Sequence, residues 1–95
     1  YRPIFEADTQ AGYADIFLCP LLDIYPDMQH SYIIELKYAK YKDPEGRVEE
    51  LREEGIVQAN RYADTDTVRN AVGSTQLQQI VVVYKGMEMR VCEEI

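Results

Sequence analysis

Residues 12–40 read GYADIFLCPLLDIYPDMQHSYIIELKYAK. Two apolar runs lie within this stretch, Tyr13–Leu18 and Tyr32–Tyr38, and charge interrupts both. Asp15 breaks the first; Glu35 and Lys37 break the second. An otherwise apolar strand rarely accepts a carboxylate, because an unpaired buried charge is strongly disfavoured. Side chains alternate along a strand, so Glu35 and Lys37 share one face, and Tyr32, Ile34, Leu36 and Tyr38 share the other. In the first run Asp15 goes with Tyr13 and Phe17, while Ala14, Ile16 and Leu18 take the opposite face. Both faces of that strand are mainly apolar, which predicts a sheet covered on both sides. If the two strands pair through the intervening loop, Asp15 and Glu35 converge. Two carboxylates beside a lysine make a hard-metal site with a cationic neighbour. Spacing alone leaves a second reading open. The three charges also fit a half-solvated sheet face, with Glu35–Lys37 an exposed ion pair worth little.

Asp15, nineteen residues, and then Glu35-Leu36-Lys37 resembles the D…(D/E)xK signature of the PD-(D/E)XK nuclease superfamily. The fuller text, GYADIFL…YIIELKYAK followed by a helix carrying Gln58, is similar to the nuclease-like domain found C-terminal to predicted AAA-type ATPases. The resemblance runs from about Phe5 onward. It implies an α/β fold, a mixed β-sheet flanked by helices, restriction-endonuclease-like. It also implies that Asp15 and Glu35 hold Mg²⁺ or Mn²⁺, with the Leu36 main-chain carbonyl as a further oxygen ligand. Lys37 would orient or deprotonate the attacking water, and Gln58 would position Lys37 or the water. A Glu often precedes the Gly-x-x-Asp strand in the resembled domains, so Glu6 would join the outer shell; a solvated strand-end carboxylate is the equal alternative. The superfamily normally places a helix before the first strand. This chain opens on Tyr1, and the expectation is a fragment of a longer protein without that helix.

Ninety-five residues make a single domain, here 1–95. Hydrophobic residues are 46% of the chain, an ordinary globular share. No apolar run approaches the ~20 residues of a membrane span, so no membrane partner is expected. Cys19 and Cys92 are far apart and match neither zinc-ligand spacing nor a disulfide framework. Both read as strand residues, and a reducing cytoplasm is the default. The net charge of −7 cuts against simple nucleic-acid binding, which calls for a basic surface. The acidic excess is local, however. Glu45, Glu49, Glu50, Glu53 and Glu54 cluster in one segment, while Lys37, Lys40, Lys42 and Arg47 cluster just after the ExK strand and offer a basic strip for DNA.

Taken in order, Pro3–Ala7 reads as a short strand and Asp8–Gly12 as a turn. The second strand covers Tyr13–Cys19 and stops at Pro20. Leu21–Ser31 is a loop, in which Asp23 and Asp27 read as solvated carboxylates. His30, the only histidine, sits at the end away from Glu35 and Lys37, which argues against a general base. The third strand is Tyr32–Lys40. Asp43-Pro44 signals a helix start, Asp as N-cap and Pro at the first helical position. The helix spans Arg47–Ala63, with Val48, Leu51, Gly55, Gln58 and Tyr62 on one stripe. Gly55 costs ~1 kcal/mol relative to Ala there, so it marks a close approach of helix to sheet. Gln58 on the same stripe needs a polar partner, or else is a half-exposed helix residue. The acidic first turns suit the positive end of the helix dipole and take no ligand role. Asp64–Gly73 is a short helix or turn. Thr75–Tyr84 is a central parallel strand, reached by a right-handed crossover. Lys85-Gly86 makes a hairpin turn, and Met87–Cys92 returns as an edge strand.

The expectation is a metal-dependent nuclease on DNA, the C-terminal module of an ATPase-containing protein. Its partners would be nucleic acid and an ATPase domain of the same full-length chain. The rival from another class is an inactive nuclease-like domain that serves as an interaction or regulatory module, which the acidic charge favours. A nuclease acting on RNA is a third reading.

Overall fold

The computed structural model describes residues 1–8 and 13–95, and the side chains of residues 4–15 fall outside that set. Five strands and two helices follow in the order β1 (Arg2–Asp8), β2 (Tyr13–Cys19), β3 (His30–Ala39), α1 (Glu45–Ala63), α2 (Asp66–Val72), β4 (Gln76–Lys85) and β5 (Glu88–Glu94). They form one mixed sheet in the order β1-β2-β3-β4-β5. The β3–β4 pair is parallel and the other three are antiparallel. This is the expected α/β mixed sheet flanked by helices. Most of the turn expected at Asp8–Gly12 lies outside the described residues.

The alternation in β3 decides what the sheet hides. Ser31, Ile33, Glu35, Lys37 and Ala39 are buried, while the intervening residues keep more exposure. α1 and α2 both pack on this odd-numbered face. Ala59 and Tyr62 of α1 and Val68 of α2 meet Phe17, Cys19 and Ile33. Nearer the other end, Val48 and Leu51 meet Ala39, Val81 and Val83. Tyr62 stands edge-on to Phe17 with ring centroids 6.3 Å apart.

Among the described residues no helix covers the opposite face, so the expectation of cover on both sides is corrected. Ile16, Leu18, Tyr32, Ile34, Leu36 and Ile80 are half-buried there by their own cross-strand neighbours, and Tyr38 is exposed. Apolar residues on both faces gave no way to tell which one the helices take.

Element boundaries also move, those of β1 and β4 by one residue at each end. β3 begins at His30, which places the histidine on the strand rather than in the loop. α1 begins at Glu45 with Pro44, not Asp43, at its N-cap, and no side chain caps it. The Asp43 carboxylate turns back instead and accepts the Lys40 backbone N–H at 2.8 Å. β5 extends to Glu94, and Cys92 on it is exposed whereas Cys19 is buried. Gly86 carries φ 60 at the β4–β5 turn, a conformation L-residues rarely adopt.

Candidate functional site

β3 carries Glu35 and Lys37 into the core under α1. Neither side chain has any exposed surface (0% for both), and Lys37 Nζ lies 3.0 Å from Glu35 Oε1. Full burial removes the half-solvated sheet face as an account of these charges. A buried carboxylate and ammonium each lose several kcal/mol of hydration, on the order of what a close partner returns. A pair in this position is therefore a poor device for stability and a good marker of a site.

The register fixes the third position. Asp15 of β2 is the cross-strand partner of Glu35, and Glu6 of β1 is in turn the partner of Asp15. Directly opposed positions of an antiparallel ladder lie on one face, Cβ atoms ~5 Å apart. Positions 6, 15 and 35 thus form a row across three strands. The side chains of Glu6 and Asp15 are outside the described residues. Leu36 pairs with Ala14 on one side and Val82 on the other.

Gln58 of α1 accepts a hydrogen bond from Lys37 Nζ through Oε1, so the polar residue on the helix stripe has found a partner on the ExK strand. Gly55, one turn earlier, explains how the helix comes so close. A Cβ on Gly55 would stand 2.8 Å from Val81 Cγ1 and 3.4 Å from Glu35 Cγ. Glycine is needed here for space, since the helix backbone lies directly over the Glu35 side chain. Val81, paired with Glu35 in register and buried, forms the other wall. Its part in the site gave no signal beyond membership of an apolar run.

The other acid–base residues do not join. Asp23 and Asp27 are exposed in the loop after β2. His30 lies on the opposite face of β3, with Nδ1 3.4 Å from Gln78 Nε2. Cys19 and Cys92 are free thiols. No group of three or more His, Cys, Asp or Glu among the described residues is arranged to hold a metal.

Whether a divalent cation suits the site turns on Glu35. Both of its oxygens are buried and neither accepts a hydrogen bond from the described residues; the Lys37 contact is an ion pair by distance, off the direction of a hydrogen bond. Buried carboxylate oxygens normally have partners. Oxygens left open, next to a second carboxylate position, fit a hard cation that takes oxygen ligands.

The sequence comparison agrees with this geometry. The model of the PD-(D/E)XK nuclease superfamily matches residues 1–94, and the chain belongs to that superfamily. The nucleases of this superfamily generally use divalent metals. No curated protein and no solved structure matches the chain.

Proposed function

We propose that the domain is a Mg²⁺- or Mn²⁺-dependent nuclease that hydrolyses phosphodiester bonds of DNA. The reading rests on one observation: Glu35, wholly buried and with neither oxygen accepting a hydrogen bond from the described residues, sits beside Lys37 and directly across the ladder from Asp15. Asp15 and Glu35 would hold the metal, and the Leu36 main-chain carbonyl would add an oxygen. Bound there, the cation would acidify a water and neutralise charge on the scissile phosphate. Lys37 Nζ, as the ammonium, would orient that water, or, as the neutral amine, would take its proton; the positive charge then present would favour the pentavalent transition state. Gln58 Oε1 would hold Lys37 Nζ in line.

The test is cleavage by Asp15→Ala, Glu35→Ala and Lys37→Ala, with folding followed by circular dichroism. Loss of cleavage with the fold retained supports each role. Full activity in any of the three removes that residue from the mechanism. A wider reading places the domain C-terminal to an ATPase in the same cytoplasmic protein. Co-purification of ATPase activity with the full-length chain tests that.

A second reading is favoured by the burial of Glu35 and Lys37 together with the net charge of −7. It is a nuclease-like domain that regulates or binds rather than cleaves. Mg²⁺ binding without cleavage of DNA or RNA, by the domain and by the full-length chain, would favour it.

A further inference from the structure

Of the ten Lys and Arg residues, six form ion pairs among the described residues and four, Arg2, Lys40, Lys42 and Arg61, form none. Arg47, Arg52, Arg69, Lys85 and Arg90 are tied to carboxylates on the surface, and Lys37 to Glu35 in the core. Lys40 and Lys42 have no carboxylate within ion-pair distance among the described residues. Both are exposed, and they alternate with tyrosines in the run Tyr38-Ala39-Lys40-Tyr41-Lys42.

This run leaves β3 at its C-terminal end, just after Lys37, and enters a short loop before α1. Tyr41 is 82% exposed there. The loop is nonetheless firmly held. The Gly86 N–H donates to the Ala39 carbonyl at 3.0 Å. The Asp43 carboxylate accepts the Lys40 N–H. A side chain on Gly86 would meet Tyr41 Cβ at 3.3 Å, so the glycine turn provides the seat for Tyr41. Beside it is a hollow of about 660 Å³ lined by Tyr41, Lys85, Gly86, Met87 and Glu88. Such a volume falls in the ~300–1,000 Å³ range of small-ligand sites. Met87, 99% exposed, lines the same hollow, and exposed apolar side chains that gather in one place mark interaction sites. Tyr38 and Tyr84 stack nearby, centroids 5.7 Å apart. The carboxylates at this end are engaged: Asp43 with Lys40 N–H, Glu45 with Lys85 and Arg90, Glu88 with Arg90. Lys40 and Lys42 have no carboxylate partner among the described residues.

We infer that Tyr41, flanked by Lys40 and Lys42 over the Gly86 turn, is a stacking platform for an unpaired base of single-stranded nucleic acid. A seated ring supplies a π-face that every base can use, and the two ammonium groups track the adjoining phosphates. Duplex bases are already stacked and cannot use it. Tyr41 lies four residues beyond Lys37, at most about 13 Å of extended chain. The platform and the proposed catalytic lysine are thus close along one strand and the loop after it, and in that respect the inference rests on the nuclease reading.

Fluorescence anisotropy tests it, with labelled DNA and RNA oligonucleotides of about 12 nucleotides and a DNA duplex, in EDTA. The single strands are expected to bind more tightly than the duplex; the DNA and RNA arms identify the natural strand. Tyr41→Ala should weaken single-strand binding about 5- to 150-fold, the loss of one stacked base, while Tyr41→Phe retains it. Lys40→Ala/Lys42→Ala should lower the slope of log K against log salt by about 1.4. Tyr41→Trp introduces the chain's only indole, whose fluorescence should be quenched by the oligonucleotide. Wild-type affinity in Tyr41→Ala, or no single-strand binding by the wild type, overturns the platform. So does self-association that Tyr41→Ala abolishes, which would assign the ring to a second copy. The nuclease reading is judged separately, by Mg²⁺ titration of Glu35 in the same protein.

Discussion

Lys37 Nζ stands 3.0 Å from Glu35 Oε1, and both side chains are sealed from solvent beneath α1. Removing one partner leaves the other as an uncompensated buried charge. Lys37→Met or Glu35→Leu alone is therefore expected to cost about 3–5 kcal/mol, whereas the double replacement is near neutral or stabilising. Urea denaturation of the three variants measures this. Additive single costs in the double variant would mean that the pair does not interact.

The same geometry makes the lysine a stand-in for a cation. In Lys37→Met, Glu35 loses its only ion-pair partner among the described residues. A divalent ion that binds the folded state raises its stability by mass action. Millimolar Mg²⁺ is thus expected to raise the Tm of Lys37→Met by more than that of the wild type. An equal shift in both would show that the metal does not bind at Glu35.

Gly55 gives a prediction with a built-in control. A methyl there meets Val81 Cγ1 at 2.8 Å, and overpacking of this kind costs about 1–3 kcal/mol. Gly55→Ala should lose that much stability and weaken Mg²⁺ binding as α1 lifts from Glu35. Val81→Ala removes the obstructing methyl, so the double variant should recover metal affinity. Failure to recover would mean that the helix position is not what matters.

The edge of the sheet has an acid dependence of its own. Glu45 is held down to about 2, by hydrogen bonds to Arg90 and then Lys85. Arg52 likewise lowers Glu93, against the opposing effect of burial. A depressed carboxylate stabilises the fold above its unfolded value of 4.5 and loses that contribution as pH falls toward 2. Thermal melts between pH 5 and pH 2 should therefore fall less steeply in Glu45→Gln than in the wild type. Parallel curves would mean that solvent screens the cluster completely.

The placing of Glu35 and Lys37 on one face was legible, because strand alternation is strict. So was the parallel β3–β4 pairing, from the valine run and the helix between them. The depth of the pair was not. Tyr32, Ile34 and Leu36 are as apolar as the residues on the covered face, so composition could not say which side α1 would choose. The opposition of Asp15 and Glu35 depended on register, and the long loop between β2 and β3 leaves register free where a two-residue turn would set it. Asp43 misled because its type is right for an N-cap, while the Lys40 N–H competed for the same carboxylate. The ties from Arg52 to Glu93 and from Glu45 to Arg90 join residues far apart in the chain, and exposed pairs leave no periodic trace.

The strict sequential order of the sheet bears on how the chain assembles. Three of the four pairings join strands that follow each other directly, so they form by local search. Only β3 and β4 must meet across both helices, and closing that loop loses chain entropy before any contact repays it. Because α1 spans that gap and rests on Glu35 through Gly55, closing this one non-local pairing is also what buries the charged pair.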